Sequence, residues 1–217
     1  MKRIRTLVLS FLFACAVLFV PFAVNAGYGI QNVAAAEEDE STTDYSTKYV
    51  VLSLEGFTIG QGFYITPTRM SYEEIGNVWK QEGIDIDLSK LTVSQATYAF
   101  FKKAGLQTKP AGSSAYNDSN FYLANIKGID KGTVKVPTAL LDAYKTRNNG
   151  NDLELEEKTG TDLAEHDYTS WSGWMITVDN VPCNTSAGAY LVDQGTGANT
   201  NVLRWQFTLA GYGADIG

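Results

Sequence analysis

Cysteine and histidine are almost missing from this sequence. Its 217 residues include two cysteines and one histidine. Cys15 lies inside an apolar N-terminal run, so removal of that run leaves Cys183 alone and no internal disulfide can form. Stability then has to come from a packed core. His166 sits in Glu165-His166-Asp167 with no second histidine or cysteine nearby, which argues against a zinc site and reads as a solvated loop residue rather than a general base. Cys183 has no neighbouring base to make its thiolate. A G-x-S-x-G elbow, a P-loop and a dinucleotide fingerprint are all missing; Gly195-Thr196-Gly197 is a lone G-x-G of the kind turns contain. Asp85 with Asp87, and Asp152 with Glu154, Glu156 and Glu157, offer hard oxygen ligands. Neither segment has the Gly-punctuated spacing of a calcium loop. These absences predict a non-enzymatic protein with no catalytic residue, no metal site and no required cofactor.

Positive charge is also in short supply: 17 Lys and Arg stand against 24 Asp and Glu, a net charge of -7. Three of the cations, Lys2, Arg3 and Arg5, belong to the first residues, so the rest of the chain is more acidic still. Such a surface argues against nucleic acid and anionic lipid headgroups as partners.

A long apolar run occurs once, from Leu7 to Val24, interrupted by Ser10 and Pro21. The basic start before it and the small residues at Val24-Asn25-Ala26 and Ala34-Ala35-Ala36 complete the pattern of a secretory signal peptide. A leader over residues 1–26 is therefore expected, with cleavage as late as residue 36. About 18 apolar residues also suffice for a retained membrane anchor, and Leu12-Phe13-Ala14-Cys15 has the outline of a lipoprotein cysteine. Pro21 and the small residues favour cleavage, and the apolar run continues past Cys15. The reading is a secreted or cell-surface protein with no membrane span once the leader is gone. A mature chain of roughly 180 to 190 residues suits one domain burying about 70% of its unfolded surface. Residues 37–48 (EEDESTTDYSTK) are acidic, then Ser/Thr-rich, and read as a disordered linker; residues 49–217 form the single domain.

Period two opens that domain, with Val50, Leu52 and Leu54 on one face of an extended run. A Gly-rich connection leads to a second run, Phe63 to Thr66, stopped by Pro67. Ser71 with Glu74, and Thr92 with Gln95, are capping boxes that start helices ending near Gly83 and Gly105. Val93, Ala96, Phe100 and Ala104 mark the buried stripe of the second. Phe121 to Ile126 reads as a short strand, and Pro137 as the start of a helix with Leu140, Leu141 and Tyr144 buried, ended by Asn148 to Asn151. A polar surface loop follows to Asp167. Alternation returns at Trp174, Ile176 and Val178 and again at Leu203, Trp205, Phe207 and Leu209. Strands with one apolar and one polar face imply an antiparallel sheet covered by helices on one side, an α+β domain.

Aromatic residues, 12% of the chain, stand repeatedly beside glycine. Phe63 and Tyr64 lie in the Gly-rich hairpin, Trp171 precedes a strand, and Tyr212 sits in Gly211-Tyr212-Gly213. Aromatics on such loops suit a contact surface, so these four are the candidate ligand-binding residues. In "SGWMITVDN", Trp174 falls on the apolar face and is expected in the core; Trp171, before the strand, is expected outside it.

Three C-terminal segments, "SGWMITVDN", "SAGAYLV" and "NVLRWQFTLAGYGADIG", read together as a Trp-led strand ending in V-D-N, a Gly/Ala-Tyr strand, a turn and an apolar-R-W-x-F strand. This order resembles the transcobalamin-like C-terminal domain, a small β-grasp-type module of exported proteins of Gram-positive bacteria. The match covers Trp171 to Gly217, and "VVLSLEGFTIGQGFYITPT" resembles the start of longer members. The family's tight acidic turn before the last strand is here the longer Asp193 to Asn201, and its usual pair after V-[DN]-[GN] is Val181-Pro182-Cys183. The resemblance implies a β-grasp-like antiparallel or mixed sheet with helices packed on one face, elaborated by a helical insertion. In eukaryotic cobalamin carriers the related domain closes over a corrin ring held by a larger helical domain, of which this sequence holds no counterpart. The function it implies is an exported, transcobalamin-like binding module acting at the cell surface on a protein, a glycan or a small ligand. The alternative is capture of a corrinoid, cobalamin, together with a transporter or second carrier subunit.

Overall fold

Val50, Leu52 and Leu54 are fully buried, and the alternation that predicts a strand there produces one. In the computed structural model, which describes residues 43–156, 160–211 and 215, strand β1 runs Tyr49–Glu55 and β2 runs Phe63–Ser71, joined by a single 3-10 turn over Phe57–Ile59. Helix α1 follows at Tyr72–Gln81 and α2 at Val93–Ala104, each opened by the expected capping box. Gly105 closes α2 in the left-handed conformation, where an L side chain would be strained. A short strand β3 (Gln107–Lys109), the one-turn helix α3 (Ser113–Tyr116) and strand β4 (Asn125–Lys127) come next. Helix α4 spans Thr138–Arg147, and β5 is Leu163–Ala164. The chain then makes β6 (Gly173–Val178), β7 (Val181–Pro182) and β8 (Thr200–Thr208).

These strands form two sheets. The larger has the order β2-β1-β8-β6-β7 and the smaller is β3-β4-β5. The larger sheet is mixed and not antiparallel throughout: β1 and β8 lie parallel at its centre, Leu52 opposite Leu203 and Leu54 opposite Trp205, while the remaining pairs are antiparallel. A parallel pair needs a long crossover, and everything from β2 to β6 supplies it. The molecule is α+β, with the elaboration made of helices and of the small second sheet.

Three of the four tryptophans, Trp79, Trp174 and Trp205, are buried, and each uses its indole N–H to tie two elements together. Trp79 donates to the Gln95 carbonyl at 2.9 Å, joining α1 to α2. Trp205 donates to Thr97 Oγ1 at 2.8 Å, holding α2 against the sheet, and Trp174 donates to the Leu163 carbonyl at 3.0 Å, holding β5. Buried aromatic bulk is thereby gained without an orphaned donor. Ring contacts continue from Trp79 through Tyr98 and Tyr116 to Phe121, at centroid separations of 4.8, 5.3 and 4.2 Å.

Several sequence expectations are corrected. The linker expected to be disordered through Lys48 is ordered from residue 43. Asp44 accepts from the Ser46 amide at 3.0 Å, and the Tyr45 ring stacks on Tyr72. The rest of that linker, and the leader, lie outside the described residues. Pro67 does not stop β2, because β2 is the sheet edge and its register shifts between Leu52 and Leu54, where a missing amide N–H is tolerated. Phe121 and Leu123 are buried in irregular chain, and only residues from Asn125 pair as a strand. Ala104 is exposed at the end of α2. The segment "SAGAYLV" is not a strand. The amides of Ala189 and Tyr190 both turn back to the Ser186 carbonyl, and Gly188 lies so close to the Asp118 carbonyl that an added Cβ would come within 1.9 Å of it. Helix α4 buries none of its residues, so Leu140, Leu141 and Tyr144 are not the buried face expected. Among the described residues no helix is long and apolar enough to cross a membrane.

Candidate functional site

Strand register brings Phe63, Tyr64 and Trp171 to one end of the sheet. Phe63 pairs with Glu55, Glu55 with Gln206, and Gly173 with Thr208, so the start of β2 and the approach to β6 share that end. Their surroundings differ. Phe63 is 45% exposed and meets Phe57 edge-on, 4.9 Å between centroids. Tyr64 turns inward: its ring lies edge-on to Trp174, a Cβ at Gly56 would stand 2.7 Å from it, and burial pushes its phenol well above the ordinary range. Tyr212 lies outside the described residues. Trp171 is 58% exposed, with Val181 the largest such value among the exposed large hydrophobics of the described residues.

The backbone beneath Trp171 is closely hydrogen-bonded. Its amide donates to Thr169 Oγ1 at 3.1 Å, and that hydroxyl donates to the Leu209 carbonyl at 2.7 Å. Ser172 Oγ accepts from the amides of Tyr168 and Thr169 and donates to the Thr169 carbonyl at 3.1 Å. The Ser172 carbonyl accepts from the His166 amide at 2.8 Å. Ser and Thr are suited to such turns because their hydroxyls mimic a backbone partner two or three residues away. Gly211 backs the indole from the other side with φ +73°; a Cβ there would come within 2.8 Å of the Trp171 Cβ. An exposed aromatic on an immobilised backbone loses little freedom when it meets a ligand.

Two open cavities meet at this tryptophan. One, of about 830 Å³, is polar and lined by Tyr144, Asn148, Asn151, Asp152, Glu154, Glu156, His166, Tyr168, Thr169, Ser170 and Trp171. The other, of about 500 Å³, is more apolar and lined by Ala139, Leu140, Ala143, Tyr144, Arg147, Asn148, Trp171, Ala210 and Asp215. Tyr144, Asn148 and Trp171 belong to both, making one cleft with two lobes. Phe63 and Tyr64 line neither.

The walls are held by charge pairs. Lys131 and Asp167 form a largely buried ion pair at 2.7 Å, and Asp167 also accepts from the Ala164 amide at 2.9 Å, pinning the loop that carries His166. His166 has φ 60°, an uncommon conformation for a non-glycine residue, and its Nε2 stands 3.8 Å from Glu165 Oε2. The same carboxylate oxygen accepts from the Tyr122 hydroxyl at 2.9 Å, and burial pushes that phenol up to about 12. Lys145 pairs with Asp152 at 2.8 Å, and this hydrogen bond raises its ammonium above the ordinary value. Asp215 closes the apolar lobe, accepting from the Leu209 amide at 2.7 Å and from the Thr208 hydroxyl.

Cys183 lines a separate apolar cavity of about 240 Å³ with Trp174 and Trp205, and burial pushes its thiol up to about 12, far from a reactive thiolate. Among the described residues no group of three His, Cys, Asp or Glu side chains gathers to hold a metal ion. What the cleft offers chemically is an exposed aromatic plane beside amide and carboxylate hydrogen-bonding groups.

Trp171, expected outside the core from its place before a strand, is exposed. Tyr144 and Asn148 of the cleft are assigned by the sequence to a buried helix face and a helix end, because nothing local says that α4 stays largely uncovered. No known protein family, curated protein or solved structure matches the chain, and the chemistry of the cleft is read from its own residues.

Proposed function

We propose that this protein is an exported, non-enzymatic binding module that acts at the cell surface through the Trp171 cleft. The observation that carries the reading is an indole 58% exposed on a backbone fixed by Thr169 and Ser172, where two cavities meet. A large aromatic exposed on a hydrogen-bonded turn in a concave site is suited to contact with a partner. The strand order β2-β1-β8-β6-β7, with its central pair parallel, supports the β-grasp form of the fold and with it the resemblance to the transcobalamin-like C-terminal domain. The apolar N-terminal run supports export. A binding role is favoured over a catalytic one because Cys183 is held far from thiolate and lines a different cavity from His166.

The test is retention on cell-envelope material. The full chain is expected to be retained and the Trp171→Ala variant released, with circular dichroism unchanged. Equal retention of the two would sink the assignment of this cleft. Capture of a corrinoid is the second reading, favoured by the open apolar lobe of about 500 Å³ beside the indole. It predicts a change in the visible corrin spectrum and in tryptophan emission when cyanocobalamin is added; no change at high micromolar ligand removes it.

A further inference from the structure

We infer that the ligand class of this cleft is an uncharged oligosaccharide bearing N-acetylhexosamine, with a sugar ring against Trp171 and its acetamido methyl in the apolar lobe. The inference rests on the binding reading above and gives it a chemistry. Pyranose rings are amphipathic plates: axial C–H groups make a flat apolar face, and hydroxyls ring the edge. Trp171 supplies the matching plate, held in place by the Thr169 and Ser172 bonds and by Gly211 behind it.

The polar lobe supplies the edge contacts. Asn148 and Asn151 carry amides that both donate and accept, and Asp152, Glu154 and Glu156 accept only. Hydroxyl protons suit such acceptors. Phosphate, sulfate and uronate do not, because carboxylates gathered in one concave wall repel an anion. Lys145 pairs with Asp152 at 2.8 Å and offsets that one, so Glu154 and Glu156 carry the repulsion. It also disfavours a nucleotide, whose base would otherwise stack on the same indole.

The second lobe selects among sugars. Ala139, Leu140, Ala143 and Ala210 make an apolar surface beside the indole, in a lobe that Arg147 and Asp215 also line. A plain hexose resting on Trp171 would leave that surface wet, whereas the methyl of a 2-acetamido group covers it. The acetamide N–H and carbonyl remain within reach of the side that carries Asn148, which lines both lobes.

The experiment titrates the full chain with triacetylchitotriose, with cellotriose, which lacks the acetamido groups, and with the cationic glucosamine trimer, following heat and tryptophan emission. Three of the four tryptophans are buried, so an emission change reports Trp171. Triacetylchitotriose is expected to bind and shift the emission, with cellotriose about tenfold weaker from the loss of a buried methyl and one hydrogen bond. Trp171→Ala should abolish the emission change. Ala143→Leu, an exposed position whose larger side chain occupies the apolar lobe, should cut triacetylchitotriose binding more than cellotriose binding and so narrow the ratio between them. Three results would overturn the inference: no binding at millimolar triacetylchitotriose, equal binding of cellotriose, or preference for the cationic trimer. If envelope retention still depends on Trp171 in those cases, the binding reading stands and only the ligand class is wrong.

Discussion

Two tryptophans three residues apart have opposite fates, and period two alone separates them. Trp174 shares a strand face with Ile176 and Val178 and is buried; Trp171 precedes the strand and points outward. That much was legible because alternation is a property of the backbone. The partner that fixes Trp171 was not, since Gly211 lies forty residues on and meets it only in the folded chain. Gly211→Ala introduces a Cβ at φ +73° and 2.8 Å from the Trp171 Cβ. We expect a loss of about 1 kcal/mol or more in stability and a displaced indole, read as altered acrylamide quenching of the exposed tryptophan. A second residue-scale prediction concerns Arg204, whose guanidinium bonds both oxygens of the buried Glu55 carboxylate, at 3.0 and 2.9 Å. Arg204→Met leaves that carboxylate with Ser53 as its hydrogen-bond donor. Stranding a buried charge costs about 3 kcal/mol, seen as a lower urea midpoint with an unchanged slope. Glu55→Gln added to Arg204→Met should recover much of the loss.

At the scale of elements, local chemistry was the reliable guide and tertiary cover was not. Both capping boxes form as their sequences require, because the partners lie three residues apart on the same turn. Helix α4 also forms, yet it buries none of the apolar residues assigned to the core; Leu140 packs partly buried against it and Leu141 is exposed. Pro67 misled for a related reason: its missing N–H forbids a central strand but not an edge, and edge position is settled by strand order. Since α4 buries no residue and has no side-chain N-cap, its opening should be local and cheap. Native-state hydrogen exchange is expected to be fast through α4 and slow through α2, whose residues from Val93 to Phe101 are all buried except Gln95. Equal protection of the two helices would mean that something covers α4.

For the whole molecule, burial of ionisable groups sets a direction for the response to alkali. Cys183 is raised from 9.0 to about 12, Tyr72 from 10.0 to about 12, and Tyr64 and Tyr116 further upward, each chiefly by burial. The unfolded chain releases these protons near the ordinary values while the folded chain still holds them. Stability must therefore be full below pH 9.0, fall as pH rises from there, and continue falling to about 12. Denaturant midpoints measured across that range check the sign. The α+β class was legible in the periodicities, and so was an exposed tryptophan before β6. The parallel centre of the sheet and the cleft between α4 and the Trp171 turn were not, because both arise from crossovers spanning most of the domain.

The most direct test of the central claim is hydroxyl-radical footprinting of the full chain, free and bound to cell-envelope material. The account predicts that Trp171 is oxidised in the free protein and protected in the bound one, while Trp79, Trp174 and Trp205 stay unmodified in both. Oxidation of Trp171 to the same extent in the retained protein would contradict it.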